Sequence, residues 1–203
     1  MSMSKSIKMI SVNIYHNTLY KILIFLYGFC KGKNVHIIGN VSFSRHVVIG
    51  DNSSLTTGLN GEINISSSVS IGKNAWIASG DGKIFIGKES LFGPMVTIVS
   101  QNHATQDLSK NNFLPWLRDS DPLTTIIGER CSIGTNVTIL PGCIIGNYSS
   151  VAANSVVIGT FPPGSLIGGI PAKILKSYEI PQDLDTQLFF GKPPYRHTSI
   201  KFF

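Results

Sequence analysis

The sequence predicts an all-β solenoid, a parallel β-helix built from six-residue units. Two observations carry this. From residue 127 to 158 a branched aliphatic side chain returns at every sixth position: Ile127, Ile133, Ile139, Ile145, Val151 and Val157. Gly follows it at 128, 134 and 146, Ala at 152, and the fifth slot is small or branched: Cys131, Val137, Cys143, Ser149 and Ser155. So short a period marks a solenoid, because one unit cannot bury its own apolar face and stacked neighbours supply the core. The composition agrees: 14% of the 203 residues are charged, and Ile, Ser, Asn and Gly are abundant. β-branched residues pack a pleated wall, while Gly and Asn accept the positive φ of tight corners.

The length suits one domain. A net charge of +6 suits an anionic cofactor, an acidic polysaccharide or a membrane surface, and equally serves as diffuse solubilising charge. Of three cysteines, two occupy fifth slots. They read as small core residues rather than a disulfide or zinc framework, which fits a reducing cytoplasm.

Residues 1–18 are polar with scattered apolar positions, and 19–30 (LYKILIFLYGFC) form a dense apolar run broken by Lys21. The run is shorter than the roughly 20 residues of a spanning helix. No small-residue cleavage site follows it, which argues against a secretory signal. The expectation is a short helical N-terminal cap over residues 1–34, closing the open end of the solenoid. The alternative is peripheral contact with the inner face of a membrane, aided by Lys5, Lys8, Lys21, Lys31 and Lys33. The β-helix domain is expected over residues 35–175. Ile38-Gly39, Ile49-Gly50, Ile71-Gly72 and Ile86-Gly87 open irregular units, with residues 55–61 and 79–83 read as extrusions at corners. The period recovers at Ile86, Phe92 and Ile98 and then stops, since residues 99–125 carry none. An excursion of this length inside a compact repeat is functional or disordered. It holds a His, aromatic residues, both charge signs and two prolines, which makes it the first candidate for chemistry. Residues 176–203 form an irregular C-terminal tail whose Phe- and Tyr-rich end must pack on the solenoid, on another subunit or on a membrane.

Several segments stand in a telling order: GKESLFGPMVTI (87–98), Asn102-His103 in the excursion, IGER (127–130), NVTILPG (136–142), AANSVV (152–157) and GIPAK (169–173). Over residues 71–175 this pattern resembles the hexapeptide-repeat acyltransferases. It is nearest their galactoside, maltose and xenobiotic O-acetyltransferase branch, with its O-antigen and capsule relatives. The resemblance implies a left-handed parallel β-helix, acetyl-CoA as cosubstrate, no metal, no nucleic-acid partner and a homotrimer. It implies direct acetyl transfer to a carbohydrate hydroxyl, on a cell-surface glycan such as capsule or O-antigen or on its precursor. A xenobiotic acceptor and a non-catalytic binding solenoid are the alternatives.

In that family the loop histidine is the catalytic base, and His103 holds its place. A hydroxyl is a poor nucleophile at neutral pH, and a base titrating near 7 can take its proton as it attacks the thioester. The cofactor positions carried over are Gly134 and Thr135 (main chain and hydroxyl), Ala152, Ala153 and Lys173, along a groove between adjacent subunits. Small residues admit the pantetheine, and a lysine pairs with the nucleotide phosphates. Gly134 and Ala152 are also repeat residues, so a purely structural role explains them as well. For the acceptor, Trp116 with Phe113 offers a stacking face, or else anchors the loop, and Asp119 or Asp121 offers hydroxyl acceptors. Trp76, beside Ser79-Gly80-Asp81, is a second aromatic candidate. Three departures alter the cofactor contacts without changing its class. Ser132 stands where Trp is common, Ile158-Gly159 replaces Thr-Lys, and Ile170 replaces Asn. His16, His36, His46 and His197 read as surface residues. A γ-type carbonic anhydrase, which shares the fold, needs three histidines converging on zinc, and only His103 lies in the right half. Cys131 and Cys143 read as buried, with no nucleophilic role.

Overall fold

The computed structural model describes residues 7–9, 28–102 and 123–180, and all their regular structure is strand. After β1 (Ile7–Met9) the strands come in triplets, one per coil. Coil 1 holds β2–β4 (Cys30–Lys31, His36–Ile38, Val41–Phe43) and coil 2 holds β5–β7 (Val48–Ile49, Ser54–Thr56, Glu62–Ile65). Coil 3 holds β8–β10 (Ser70–Ile71, Trp76–Ala78, Lys83–Ile86) and coil 4 β11–β13 (Leu91–Phe92, Thr97–Val99, Thr124–Ile127). Coil 5 holds β14–β16 (Ser132–Ile133, Thr138–Ile139, Ile144–Ile145) and coil 6 β17–β19 (Ser150–Val151, Val156–Val157, Thr160–Phe161). The strands of each triplet go in turn to face 1, face 2 and face 3 of a three-sided stack. Neighbouring coils pair in parallel register, so Ile127 lies over Ile145, Ile133 over Val151 and Ile139 over Val157.

The two-residue strand explains the period. Its first side chain points out and its second in, as in exposed Ile144 and buried Ile145. The inward residues form one continuous core from Phe29 to Ala172. Each fully buried Ile contributes on the order of 1.5–3 kcal/mol. Corners need positive φ. Between faces 1 and 2 it is adopted by Asn34, Asn52, Asn74, Met95, Asn136 and Asn154, and Asn tolerates this region best among non-glycine residues. The Asn34 amide donates to the Asn52 Oδ1 at 3.1 Å and that of Asn136 to Asn154 at 3.0 Å. Between faces 3 and 1 the corner residues are His46, Ser68, Glu89, Arg130 and Tyr148. There Arg130 Nε donates to Glu89 Oε2 at 2.6 Å and its Nη1 to Tyr148 Oη at 2.7 Å, tying coils 4, 5 and 6 together.

An antiparallel strand covers a sheet edge at each end: β1 pairs with β4 of face 3, and β21 (Ala172–Ser177) with β20 (Ser165–Gly169) of face 1. Covered edges offer no template for stray pairing. The helical cap expected over residues 1–34 is strand wherever regular structure is described in it, at Ile7–Met9 and Cys30–Lys31, so the first coil begins before residue 35. The extrusion read over 55–61 narrows to 57–61, because Leu55 is a fully buried strand residue. That over 79–83 loses its ends, Ser79 being buried and Lys83 opening β10. Lys176 and Ser177 of the expected tail belong to β21, and residues 181–203 lie outside the described residues. Among the described residues no helix is long and apolar enough to cross a membrane.

Candidate functional site

The break in the repeat falls at the corner between faces 2 and 3 of coil 4. Val99 completes β12 beside Ala78, and Thr124 and Thr125 open β13 beside Lys83 and Ile84. The excursion expected over 99–125 is therefore 100–123. Its base is closed: the Leu123 N–H donates to the Ser100 carbonyl at 3.0 Å, and the Lys83 N–H to the Leu123 carbonyl at 2.9 Å. Ser100 Oγ donates to the Lys83 carbonyl at 2.8 Å, and Thr125 Oγ1 donates to the Val99 carbonyl at 3.1 Å. The same Thr125 oxygen accepts the Gly142 N–H of coil 5 at 3.2 Å. Both residues are fully buried, so the two ends of the excursion are fixed to the coils below and above.

The smaller extrusions of coils 2 and 3 stack on the same corner. Asp81 Oδ1 accepts the Asn60 N–H at 3.1 Å, and Gln101 Oε1 accepts the Asp81 N–H at 2.7 Å. Three successive coils thus build a ledge that rises to Asn102, an exposed residue. His103, Phe113, Trp116, Asp119 and Asp121 lie outside the described residues.

The expected cofactor residues gather elsewhere, on the corner between faces 1 and 2 and at the strands just above it. Gly134 and Thr135 belong to coil 5, Ala152 and Ala153 to coil 6, and Lys173 lies opposite Gly168 in the β20–β21 pair. A Cβ on Gly134 would stand 2.5 Å from the Ala153 amide nitrogen, and one on Gly168 3.2 Å from the Ala152 Cβ. Stacking alone therefore demands glycine at 134. Its N–H already donates to the Val151 carbonyl at 2.9 Å, as that of Ala152 does to Ile167 at 2.8 Å. Lys173 is exposed. Trp76 stands on face 2 in register with Thr97, 53% exposed and one coil below the excursion.

Neither interior cysteine is poised as a nucleophile. Cys131 and Cys143 are buried. Burial raises both thiol pKa values, that of Cys143 to about 12, so each stays a neutral thiol at neutral pH. The Cys131 thiol donates to the Gly146 carbonyl at 3.3 Å. His36 and His46 are exposed; His16 and His197 lie outside the described residues.

One residue of the faces 1–2 corner escaped the sequence reading. The fourth slot of the units there is Asn at 34, 52, 74, 136 and 154 but Met at 95. Aligning the units on that slot reveals the exception without a structure.

Comparison with known proteins matches residues 124–159 to the family described as bacterial transferase hexapeptide (six repeats). WbbJ of Escherichia coli strain K12, assigned by name to lipopolysaccharide biosynthesis as an O-acetyl transferase, is 36% identical over 144 residues, covering 69% of this chain and 73% of WbbJ. The galactoside O-acetyltransferase of the same strain is 32% identical over 111 residues, 54% of this chain and 50% of that protein. Among solved structures, a point mutant of AntD, an N-acyltransferase from Bacillus cereus in complex with dTDP and coenzyme A, superposes with a TM-score of 0.63. That match covers 81% of this chain and 90% of AntD at 17% identity, which speaks to the fold. The repeat, the coil-by-coil register and the long match to WbbJ converge, and the chain belongs to the hexapeptide-repeat acetyltransferase family.

Proposed function

We propose that the protein transfers acetyl from acetyl-CoA to a hydroxyl of a carbohydrate, a cell-surface glycan such as an O-antigen or capsule polysaccharide or its precursor. The observation that carries this is the likeness to WbbJ across 73% of that protein's length. In this reading the β-helix is left-handed, His103 is the general base, and the donor lies along the Gly134–Ala153 corner with its phosphates near Lys173. Trp116, Asp119 and Trp76 receive the sugar. His103 withdraws the proton of the acceptor hydroxyl as its oxygen attacks the thioester carbonyl. Collapse of the tetrahedral intermediate then expels the CoA thiolate, which takes up a proton.

The spacing of the two corners supports a site shared between copies. Five residue steps of about 3.3 Å separate Met95 from Ser100 across face 2, roughly 16 Å in one chain. A homotrimer that sets the excursion of one copy against the cofactor corner of the next closes that gap. In this reading the protein works in the cytoplasm, and its basic N-terminal run offers a peripheral contact to the inner membrane face as the alternative to a cap.

The test is thiol release from acetyl-CoA with a panel of glycan acceptors, for wild type and His103→Ala, beside the mass in solution. Acceptor-dependent release that falls at least about a hundredfold in His103→Ala supports the reading. Release that is acceptor-independent and unchanged in the variant overturns it, and a monomer at working concentration overturns the shared site.

A further inference from the structure

Met95 is out of place. Its φ of 59° lies in the left-handed region, where a bulky residue is uncommon. It stands between Asn74 and Asn136 in the corner column, so no amide continues the side-chain ladder that Asn34–Asn52 and Asn136–Asn154 form on either side. At the opposite corner His46, Ser68, Glu89, Arg130 and Tyr148 also adopt positive φ, and the last three share side-chain bonds across coils of a kind that a methionine cannot form. Met95 is 47% exposed, and Trp76 on face 2 and Leu91 on face 1 are exposed nearby. Large apolar side chains on either side of one strained corner mark a surface kept for a ligand, since strain of this kind collects where function requires it.

The level of the coil identifies that ligand. Along face 1, the order β11, β14, β17, β20, β21 separates the level of Met95 from that of Lys173 by four strand spacings, about 19 Å at about 4.8 Å each. The chain from the CoA diphosphate to its sulfur has about a dozen bonds, each advancing roughly 1.25 Å, or about 15 Å in all. A lysine side chain covers the difference. With the nucleotide held near Lys173, the sulfur arrives at coil 4, the coil from which the excursion departs. We infer that Met95 is a donor-contact residue, seating the cysteamine–thioester end of acyl-CoA against its own side chain. The inference rests on the donor lying along this corner, as proposed above. A thioether is soft and apolar enough to pack against a thioester and adapt to it.

The test uses the full-length protein, with binding of acetyl-CoA and of 3′-phospho-ADP measured by calorimetry and unfolding followed by circular dichroism. Met95→Asn gives this corner the residue of the other five coils, which tolerates positive φ better, so its melting midpoint should rise by about 2–4 °C. Its acetyl-CoA affinity should fall about tenfold, while 3′-phospho-ADP binds as to wild type. Met95→Leu, which keeps the apolar bulk, should stay within about threefold. Met95→Asn binding acetyl-CoA as tightly as wild type, or weakening both ligands equally, overturns the inference. Wild type binding neither ligand instead overturns the donor reading of the corner, and that failure shows before any variant is made.

Discussion

Replacing Thr125 by Val asks whether the base of the excursion is locked to the solenoid. The two side chains have nearly the same shape, so the change removes a hydroxyl and little else. That hydroxyl donates to the Val99 carbonyl at 3.1 Å and accepts the Gly142 N–H at 3.2 Å, linking both sides of the excursion to coil 5. The stranded Gly142 N–H costs about 1–3 kcal/mol, and the added methyl returns at most about 0.8 kcal/mol. A net loss of about 1–2 kcal/mol lowers the melting midpoint by roughly 3–7 °C for a chain of this size, compared at one protein concentration. Thr138→Val, on the outward side of β15, is the control and should stay within about 0.5 kcal/mol. In the thiol-release assay kcat should fall while KM for acetyl-CoA holds, because the corner proposed for the donor is a different corner. A Thr125→Val protein that melts with wild type, or that loses donor affinity in step with turnover, would refute this account of the excursion.

Two further outcomes follow from the coil interior. Gly134→Ala sets a Cβ 2.5 Å from the Ala153 amide nitrogen, so the coils must part. The ligand-free protein should lose about 1–3 kcal/mol, read as a lower midpoint with no acetyl-CoA present. Cys143 gives a pH signature. Its thiol pKa is raised by burial from 9.0 to about 12, so the folded state holds the proton more tightly than the unfolded chain. Its contribution is complete below about pH 9 and is lost as pH rises toward 12, at about 1.4 kcal/mol per pH unit. Urea unfolding between about pH 9 and 11 should show that extra slope in wild type and not in Cys143→Val.

The stretch from 127 to 158 is legible because its six-residue period is also its burial pattern. Ile127, Ile133, Ile139, Ile145, Val151 and Val157 are all core residues, as are Cys131 and Cys143. The boundaries are less legible. The first strand of coil 1 is hidden inside the expected cap because Lys31 takes the slot that Ile holds in regular units, so the first repeat merges with a hydrophobic run. Leu55 reads as part of an extrusion because β6 is three residues long and the count slips where a strand lengthens. Val99 and Thr125 read as part of the excursion for the same reason, β12 and β13 both exceeding two residues. Ile7–Met9, a lone antiparallel edge strand, has no period to betray it. At the corner proposed for the cofactor the repeat places Gly134 and Ala152 on one line, yet the small size of Gly134 is already demanded by stacking. Composition alone cannot separate the two roles.

A stacked solenoid also explains why the departures from its pattern can be so local. Coil spacing is set by backbone hydrogen bonds between neighbours, about 4.8 Å per level, and not by the side chains at the corners. Changing an outward-facing corner residue such as that of the fourth slot alters what that level presents without moving the levels above or below. Coil 4 uses this freedom most. It carries Met95 where the other coils of that column carry Asn, exposed Leu91 on face 1, and the long excursion after Val99. Glu89 of the same coil is tied through Arg130 to Tyr148, two coils away, and its Ser100 and Thr125 are hydrogen-bonded to Lys83 below and Gly142 above. A coil that is irregular in sequence yet this firmly held is built to present groups at one fixed height. Strain at Met95 is tolerated there because those bonds on the other two corners keep the coil in register.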